Sequence, residues 1–343
     1  MTILAAEPHP VRPNSRPAEV SWHRELRQAV RDPAELTRLL CLPPEFAQQA
    51  TRAASDFPLF VPRGYLSRMR PGDPADPLLR QVLPVAAEEA TVPGYLADPV
   101  DDAAAVRAPG LLQKYPGRAL MITTGACAIH CRYCFRRHYP YAEAPKSLDA
   151  WEPALDEIAT DNSLHEVLLS GGDPLVLVDD FLASLTTRLA AIPHVRRLRI
   201  HTRLPIVIPE RVCDDLIAWL TGTRLTPIVV VHANHPAELD QSVAQALGRL
   251  VGAGVVVLNQ AVLLRGVNDR ADVLAELCEQ LVDLRVIPYY LHQLDPVAGA
   301  AHFDVPEAEG IRIVAQLAAC LPGYAVPRYV REIPGQLNKM PIL

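Results

Sequence analysis

Three cysteines, Cys127, Cys131 and Cys134, form a C-x3-C-x2-C triplet. Three thiolates this close can hold three irons of a 4Fe-4S cube and leave the fourth iron without a protein ligand. An aromatic residue between the second and third thiols, and a basic run after them, argue against three unrelated core thiols. Structural zinc requires a fourth nearby ligand, which His130 or His138 could supply, so zinc remains an alternative. The triplet predicts a metal cluster with one open position.

The same spacing is the signature of radical S-adenosylmethionine enzymes, in which S-adenosylmethionine chelates the open iron. A second motif runs from Ser170 through Gly171 and Gly172 to Asp173. Its glycines allow backbone carbonyls to approach a ligand closely, and Asp173 adds a negative charge. Alone, Gly-Gly-Asp-Pro is only a turn signal. In a cluster protein it predicts a site for the ammonium group at the methionine end of S-adenosylmethionine.

After residue 105, short apolar, β-rich runs alternate with amphipathic helical segments. These predicted strands and helices could position the motifs. Such repeats indicate parallel strands joined by right-handed crossovers. Six repeats rather than eight predict an α/β fold, an open, partial (β/α)6 barrel related to the TIM fold. The expected strands are Ala119–Thr124, Glu166–Ser170, Leu198–Thr202, Pro227–His232, Val255–Gln260 and Val286–Leu291.

The chain divides into three expected segments. Residues 1–105 form a mostly helical N-terminal extension, residues 106–323 form the core barrel, and residues 324–343 form a C-terminal segment with a lysine near its end. In the extension, Asp32 and Pro33 are typical of the N-cap and first turn of a helix.

Polar motifs follow each of the six predicted strands, at the carboxyl ends that form the functional rim of (β/α) barrels. One polar strand end means little, but six in succession favour a shared site, with His201 and Gln260 as further cofactor contacts. In chain order the motifs are the cysteine triplet, Ser170–Asp173, His201–Arg203, His232–His235, Gln260 and His292–Asp295.

Composition narrows the class of protein. The chain has 343 residues, of which 50% are hydrophobic, enough for one large domain and an extension. A net charge of −6 argues against a nucleic-acid partner. We see no targeting segment and no apolar stretch of the roughly 18–20 residues that a membrane span needs. The cysteines outside the triplet suggest free thiols, so we expect a reducing cytoplasm.

Together these motifs resemble the lysine 2,3-aminomutase family, over most of the chain from about Arg63 to Lys339. Within that family the chain most resembles bacterial members that make (R)-β-lysine for modifying elongation factor P. The segments that carry the resemblance are Tyr115–Arg118, the cysteine triplet with Arg136 and Arg137, Leu169–Leu175, His201–Pro205, Asn234–Pro236, Leu258–Asp269 and Gln293–Asp295.

The resemblance implies three cofactors: a 4Fe-4S cluster, S-adenosylmethionine and pyridoxal phosphate. Lys339 matches the lysine that binds pyridoxal phosphate covalently, although Gln336, Leu337 and Asn338 replace glycines that usually flank it. Tyr115 and Arg118 match residues that hold the same cofactor. In the implied reaction, cleavage of S-adenosylmethionine gives a radical that takes a hydrogen from the β-carbon of lysine, and the amino group migrates from Cα to Cβ.

The resemblance also assigns the substrate contacts. Arg136 matches the arginine that pairs with the substrate carboxylate, a bidentate task suited to guanidinium. Asp295 matches a carboxylate that binds the ε-ammonium group of lysine. Glu332 stands where the family usually has a second Asp, which keeps the charge. Two carboxylates for one distal ammonium group favour lysine over glutamate as substrate.

Longer relatives carry a Cys-rich tail that binds structural zinc between subunits, and a Cys where Arg270 stands here. We therefore expect no structural zinc in any homo-oligomer. The implied partners are L-lysine and, downstream, a ligase that attaches β-lysine to elongation factor P.

Other interpretations stay open at the level of sequence. The enzyme could serve β-lysine metabolism or rearrange another amino acid. A different class would be a radical S-adenosylmethionine protein that works without pyridoxal phosphate, for example on nucleic acid. A non-catalytic iron–sulfur scaffold is a third possibility, but it would leave the two substrate carboxylates unexplained.

Overall fold

The computed structural model describes residues 21–342, so the first twenty residues of the predicted extension and Leu343 lie outside the described part. Asp32 caps the second helix of the extension, since its Oδ1 accepts a hydrogen bond of 2.9 Å from Ala34 N, and Pro33 occupies the first turn, as predicted. The helices of residues 21–105 are α1 Ser21–Arg27, α2 Pro33–Leu39, α3 Pro44–Ala53, α4 Arg63–Leu66 and α5 Pro77–Arg80.

Ten strands of the described chain form one sheet whose order follows the sequence. They are β1 Val106–Ala108, β2 Leu111–Tyr115, β3 Arg118–Thr124, β4 Glu166–Gly171, β5 Arg197–Thr202, β6 Thr226–Val231, β7 Val256–Val262, β8 Ile287–His292, β9 Arg328–Arg331 and β10 Met340–Pro341. Neighbours from β3 to β9 pair in parallel. The pairs β1–β2, β2–β3 and β9–β10 are antiparallel.

The remaining helices connect these strands and cover the outer face of the sheet. They are α6 Glu152–Thr160, α7 Asp179–Ala191, α8 Leu204–Val207, α9 Asp214–Thr221, α10 Gln241–Gly252, α11 Ala271–Asp283 and α12 Glu307–Cys320. In α10 the buried residues Val243, Ala246, Leu247 and Leu250 recur at helical spacing and form one apolar stripe. Strand interiors such as 167–169 are buried throughout, as expected where a parallel sheet is covered on both faces.

The sheet curves into a barrel that stays open. No pairing joins β1 to β10 within residues 21–342, which confirms the prediction of a partial barrel. The six predicted strands correspond to β3–β8, and β9 adds a seventh parallel strand beside β8. In the described part of the chain, no helix is both long and apolar enough to cross a bilayer.

The N-terminal helices pack against the barrel and share its apolar core, which includes Trp22 and Leu36. Polar contacts reinforce this packing. The Arg68 guanidinium donates to the backbone oxygens of Ile206 and Glu238 at 2.7 and 2.5 Å. These contacts place the extension beside the loops that follow β5 and β6, which belong to the predicted rim.

Candidate active site

The cysteine loop leaves the carboxyl end of β3 and turns tightly. Cys134 N donates to Cys131 O at 3.0 Å, and Arg137 N donates to Cys134 O at 3.2 Å. Burial raises the pKa of the Cys127 thiol well above its usual value, and it raises that of Cys134 to about 11. Thiolates in such surroundings need a compensating cation, so the loop fits a bound metal cluster.

The Gly-Gly-Asp turn packs directly on the start of the cysteine loop. A Cβ on Gly171, whose φ is +129°, would lie 2.4 Å from Thr124 O. A Cβ on Gly172 would lie 2.2 Å from Ala126 O. These glycines are therefore required for the contact between the two loops, a reason that sequence alone did not supply. Their predicted contact with S-adenosylmethionine remains a prediction.

Around the same turn, Ser170 and Gly171 also have partners within the protein. Ser170 O accepts from Thr123 Oγ1 at 3.0 Å, and Gly171 O accepts from the Tyr141 hydroxyl at 3.1 Å. The Ser170 hydroxyl lies 3.5 Å from Arg136 Nη1. The turn thus connects the cysteine loop to the predicted substrate arginine.

Asp173 is buried and fully hydrogen-bonded. Its carboxylate accepts from the Thr202 hydroxyl at 2.7 and 2.9 Å. It also accepts from the backbone N–H groups of Leu175, Arg203 and Leu204 at 3.0, 2.7 and 3.2 Å. Burial raises its pKa to about 6 despite these donors. The carboxylate that we predicted for a cofactor ammonium group thus ties the loops after β4 and β5 together.

Three histidines, His201, His232 and His292, lie at the carboxyl ends of β5, β6 and β8, and we call them the lumen histidines. Burial first, and then neighbouring positive charges that include Lys339, lower the pKa of each. Nε2 of His201 and of His292 is buried without a hydrogen-bond partner. The Gln260 amide lies 3.0 Å from His232 Nε2. Neutral rings with unpaired nitrogens are suited to receive a ligand inside the barrel.

Lys339, just before β10, extends toward these histidines. Its Nζ donates to Glu332 Oε2 at 2.7 Å, and the Tyr115 side chain lies near the same carboxylate. Burial opposes ionisation of Glu332, but Lys339, Tyr115 and Lys114 outweigh it and hold the Glu332 pKa below its usual value. The predicted cofactor lysine and a predicted substrate carboxylate are therefore in direct contact.

A chain of charges connects this pair to the predicted substrate arginine. Arg136 Nε donates to Asp102 Oδ2 at 2.7 Å, and Lys114 Nζ lies 2.8 Å from Asp102 Oδ1. Lys114 in turn lies 3.7 Å from Glu332 Oε1. Asp102 and Lys114 were absent from the predicted site, as were His232 and His292. The two histidines stood in strand-end motifs, but no sequence signal distinguished Asp102 or Lys114.

Asp295 differs from its charged neighbours. Its carboxylate is partly buried, and burial raises its pKa to about 6 although Lys339 opposes that shift. Within residues 21–342 no side chain or backbone group hydrogen-bonds to this carboxylate, whereas Glu332, Lys114 and Arg136 all lie within electrostatic range. An acceptor held in the site without a donor is suited to bind a cationic ligand.

Arg118 lies at the start of β3, on the turn that follows Tyr115. Its guanidinium stacks over the Tyr115 ring at 4.5 Å from the ring centroid. No carboxylate of the described chain pairs with Arg118, so it can accept an anionic group such as a phosphate.

Comparison with known proteins agrees with this geometry. The sequence model of the Radical SAM superfamily matches residues 121–278. An L-lysine 2,3-aminomutase from Escherichia coli (strain K12) is 47% identical over 95% of this chain and 95% of its own length. The L-lysine 2,3-aminomutase of Clostridium subterminale is 35% identical over 94% of this chain and 77% of its own length. That of Bacillus subtilis (strain 168) is 34% identical over 93% of this chain and 68% of its own length.

Among solved structures, SuiB from Streptococcus suis aligns with a TM-score of 0.50 and 13% identity. The alignment covers 64% of this chain and 50% of SuiB, and at this identity it supports the fold alone. Identity with the aminomutases extends over nearly the whole chain, which confirms the resemblance read from the motifs. The chain belongs to the L-lysine 2,3-aminomutase family of radical S-adenosylmethionine enzymes.

Proposed function

We propose that this enzyme converts L-α-lysine to (R)-β-lysine by 2,3-amino migration. Family membership implies a 4Fe-4S cluster and S-adenosylmethionine, and we further propose pyridoxal phosphate. The observation that carries the proposal is the convergence of Lys339, Glu332, Asp295 and Arg136 in one electrostatic group inside the barrel. A lysine substrate presents one carboxylate, with which Arg136 can pair. It also presents one distal ammonium group, to which Glu332 and Asp295 can bind.

The proposed cofactors fit the residues present. Cys127, Cys131 and Cys134 would hold the cluster, Lys339 would hold pyridoxal phosphate covalently, and Arg118 would face its phosphate. When bound, the cluster and S-adenosylmethionine supply the radical that removes a hydrogen atom, and pyridoxal phosphate supplies the conjugated system across which nitrogen moves. The protein orients these groups and keeps water away from them.

The Glu332–Lys339 ion pair has a consequence for substrate binding. With pyridoxal phosphate held on Lys339, the Glu332 carboxylate, which here accepts from Lys339 Nζ at 2.7 Å, would be available to a second cation. The ε-ammonium group of lysine would bind there, and Asp295, whose carboxylate receives no hydrogen bond within residues 21–342, would provide the second acceptor. At the other end of the substrate, Arg136 takes the carboxylate while Asp102 fixes the orientation of its guanidinium.

This assignment is tested by borohydride reduction of the protein loaded with pyridoxal phosphate, followed by peptide mapping. We expect the label on Lys339, with none in Lys339→Ala. Lys114 also lies in the site, so it is the informative alternative, and Lys146 serves as the control. A label on Lys114 would overturn the role of Lys339.

The substrate assignment is tested by incubation with L-lysine, L-ornithine and L-glutamate. We expect product from lysine in preference to the other two, and preference for glutamate would refute the assignment.

We further propose that the β-lysine is used in the cytoplasm, where a separate ligase attaches it to elongation factor P. The support is the resemblance of this chain to family members of that type. Deletion of the gene should remove the β-lysyl mass increment from elongation factor P, measured by intact mass spectrometry, and added β-lysine should restore it. If the increment persists in the deletion strain, the product belongs to β-lysine metabolism.

A further inference from the structure

One buried cation, Arg203, contacts the cysteine loop and has no part in the function described above. Its Nη1 donates to Cys131 Sγ at 2.7 Å. None of the other hydrogen bonds of the described chain donates from a charged side chain to Cys127 or Cys134. The three cysteines therefore differ in their hydrogen bonding, a difference that the sequence motif does not indicate.

The position of Arg203 is fixed from several sides. Its Nη2 donates to Glu238 Oε2 at 2.8 Å, to Gln81 Oε1 at 2.6 Å and to the Tyr65 hydroxyl at 3.2 Å. Its own backbone N–H bonds to Asp173, so the same residue contacts the Gly-Gly-Asp turn as well. The side chain is 6% exposed and its partner Glu238 is 0% exposed. A guanidinium held this firmly cannot swing away from Cys131.

Hydrogen bonds to ligand sulfurs, net charge and solvent exposure set the reduction potential of iron–sulfur clusters. Reduction adds one negative charge to the cluster, and a buried guanidinium on a ligand sulfur stabilises that charge. We propose that Arg203 is a positioning residue that raises the reduction potential of the cluster through Cys131, with Glu238 moderating its charge. The proposal rests on the cluster that membership of the family implies.

The step concerned is the transfer of one electron from a low-potential single-electron donor to the oxidised 4Fe-4S cluster. The cluster charge falls from 2+ to 1+, and no covalent bond forms or breaks. The experiment is an anaerobic titration with dithionite and redox mediators, without S-adenosylmethionine, in which electron paramagnetic resonance measures the reduced cluster. It reports a midpoint potential and is independent of turnover.

Three variants probe the Arg203–Glu238 pair, and the first two should shift the midpoint potential in opposite directions. Arg203→Met combined with Glu238→Gln removes both charges and the bond to sulfur. It should disfavour reduction at least tenfold, which is a shift of about 59 mV to more negative potential for a one-electron couple. Glu238→Gln alone leaves the guanidinium uncompensated and should shift the potential in the positive direction. Arg203→Lys keeps the charge but cannot hydrogen-bond to both Cys131 and Glu238. Its midpoint potential should therefore lie between those of the wild type and the double variant.

The matched control is a second ion pair, between the buried Arg211 and the half-buried Asp179, whose atoms Nη2 and Oδ1 lie 2.7 Å apart. None of the hydrogen bonds of Arg211 reaches the cysteine triplet. Arg211→Met with Asp179→Asn should leave the potential at the wild-type value.

Three results would overturn the proposal. The first is a double variant at 203 and 238 whose potential equals that of the control pair. The second is a negative shift in Glu238→Gln. The third is loss of iron from every variant at 203 and 238 while the control pair keeps its cluster, since the proposed role leaves the cluster in place. Absence of a cluster from the wild-type protein would instead refute the cysteine assignment, so the two failures are distinguishable.

Discussion

Two aspartates illustrate how differently the two halves of the site are built. Asp173, after β4, and Asp295, after β8, both have pKa values raised by burial to about 6. The protein satisfies Asp173 with donors from Leu175, Thr202, Arg203 and Leu204. Asp295 receives no hydrogen bond within the described chain. The carboxylate beside the cysteine loop is therefore saturated with protein donors, whereas the carboxylate beside Lys339 can still accept hydrogen bonds from a ligand.

The comparison teaches that a perturbed pKa does not by itself reveal what a buried carboxylate does. Both residues have a pKa of about 6, and burial is the largest cause of the rise in each. The distinction lies in the hydrogen-bond partners. A carboxylate that already has its donors holds loops together, whereas a carboxylate without donors is available to bind a cation. Substitutions at the two positions should therefore have opposite effects on stability.

The largest expected effect is that of Asp173→Ala on folding. The change leaves the backbone N–H groups of Leu175 and Arg203 buried without acceptors, whereas the Leu204 N–H keeps Thr202 Oγ1 at 3.0 Å. At about 1–3 kcal/mol for each unsatisfied group, the free energy of unfolding should fall by about 2–6 kcal/mol. Urea unfolding monitored by circular dichroism measures this, with Asp295→Ala as the matched control. Equal stability of the two alanine variants would contradict the structural role of Asp173.

The next effect is on catalysis. Asp295→Asn should remove one of the two charges facing the ε-ammonium group of lysine, a loss of about 3–5 kcal/mol. This corresponds to a fall of roughly 10²- to 10⁴-fold in kcat/KM. Asp304→Asn is a suitable control, because Asp304 accepts from Gln293 Nε2 at 3.3 Å and is not among the charges that act on Asp295. An unchanged kcat/KM for lysine in Asp295→Asn would refute the binding role.

The same substitution should make the free protein more stable. Because the folded-state pKa of Asp295 lies above the ordinary Asp value, ionisation is harder in the folded protein, and this cost is fully present above about pH 6. Discounted for partial exposure of the side chain, the gain in Asp295→Asn is about 1–3 kcal/mol at pH 7.5. It should shrink as the pH falls toward 4.5. A stability difference that does not depend on pH would show that ionisation of Asp295 is not its source.

A smaller effect is expected at Thr202, whose hydroxyl is one of the four donors to Asp173. Thr202→Val should cost about 1–2 kcal/mol of folding free energy, because it removes a hydrogen bond to a charged acceptor. Thr202→Ser should restore most of that loss, which separates the hydrogen bond from packing of the methyl group. If serine and valine destabilise the protein equally in thermal unfolding, the hydroxyl does not contribute as described.

Sequence reasoning recovered the parallel strands because apolar runs report burial directly. The expected strand Glu166–Ser170 is β4 Glu166–Gly171, and Pro227–His232 is β6 Thr226–Val231. The antiparallel strands at the edges were not expected. Such short strands exist through pairing with a neighbour, as β10 Met340–Pro341 does on β9, and periodicity over two residues carries no signal.

In the site, residue type and spacing pointed to the cysteines and to Lys339, because few other side chains could perform that chemistry. The chain of charges through Asp102 and Lys114 could not be predicted from residue type and spacing. An ion pair depends on which strands lie side by side, and nothing in the local sequence of either residue encodes its partner. The hydrogen bonds that distinguish Asp173 from Asp295 are likewise a property of the folded loops.

The most direct test of the proposed amino migration follows the α-nitrogen of lysine. The anaerobic enzyme with reconstituted cluster, S-adenosylmethionine, pyridoxal phosphate and dithionite is incubated with L-lysine labelled with ¹⁵N at the α-amino group, and the product is analysed by nuclear magnetic resonance. We predict β-lysine that carries the label on C3, with no such product from Lys339→Ala. Cleavage of S-adenosylmethionine while the label stays on C2 of unchanged lysine would contradict the proposed amino migration.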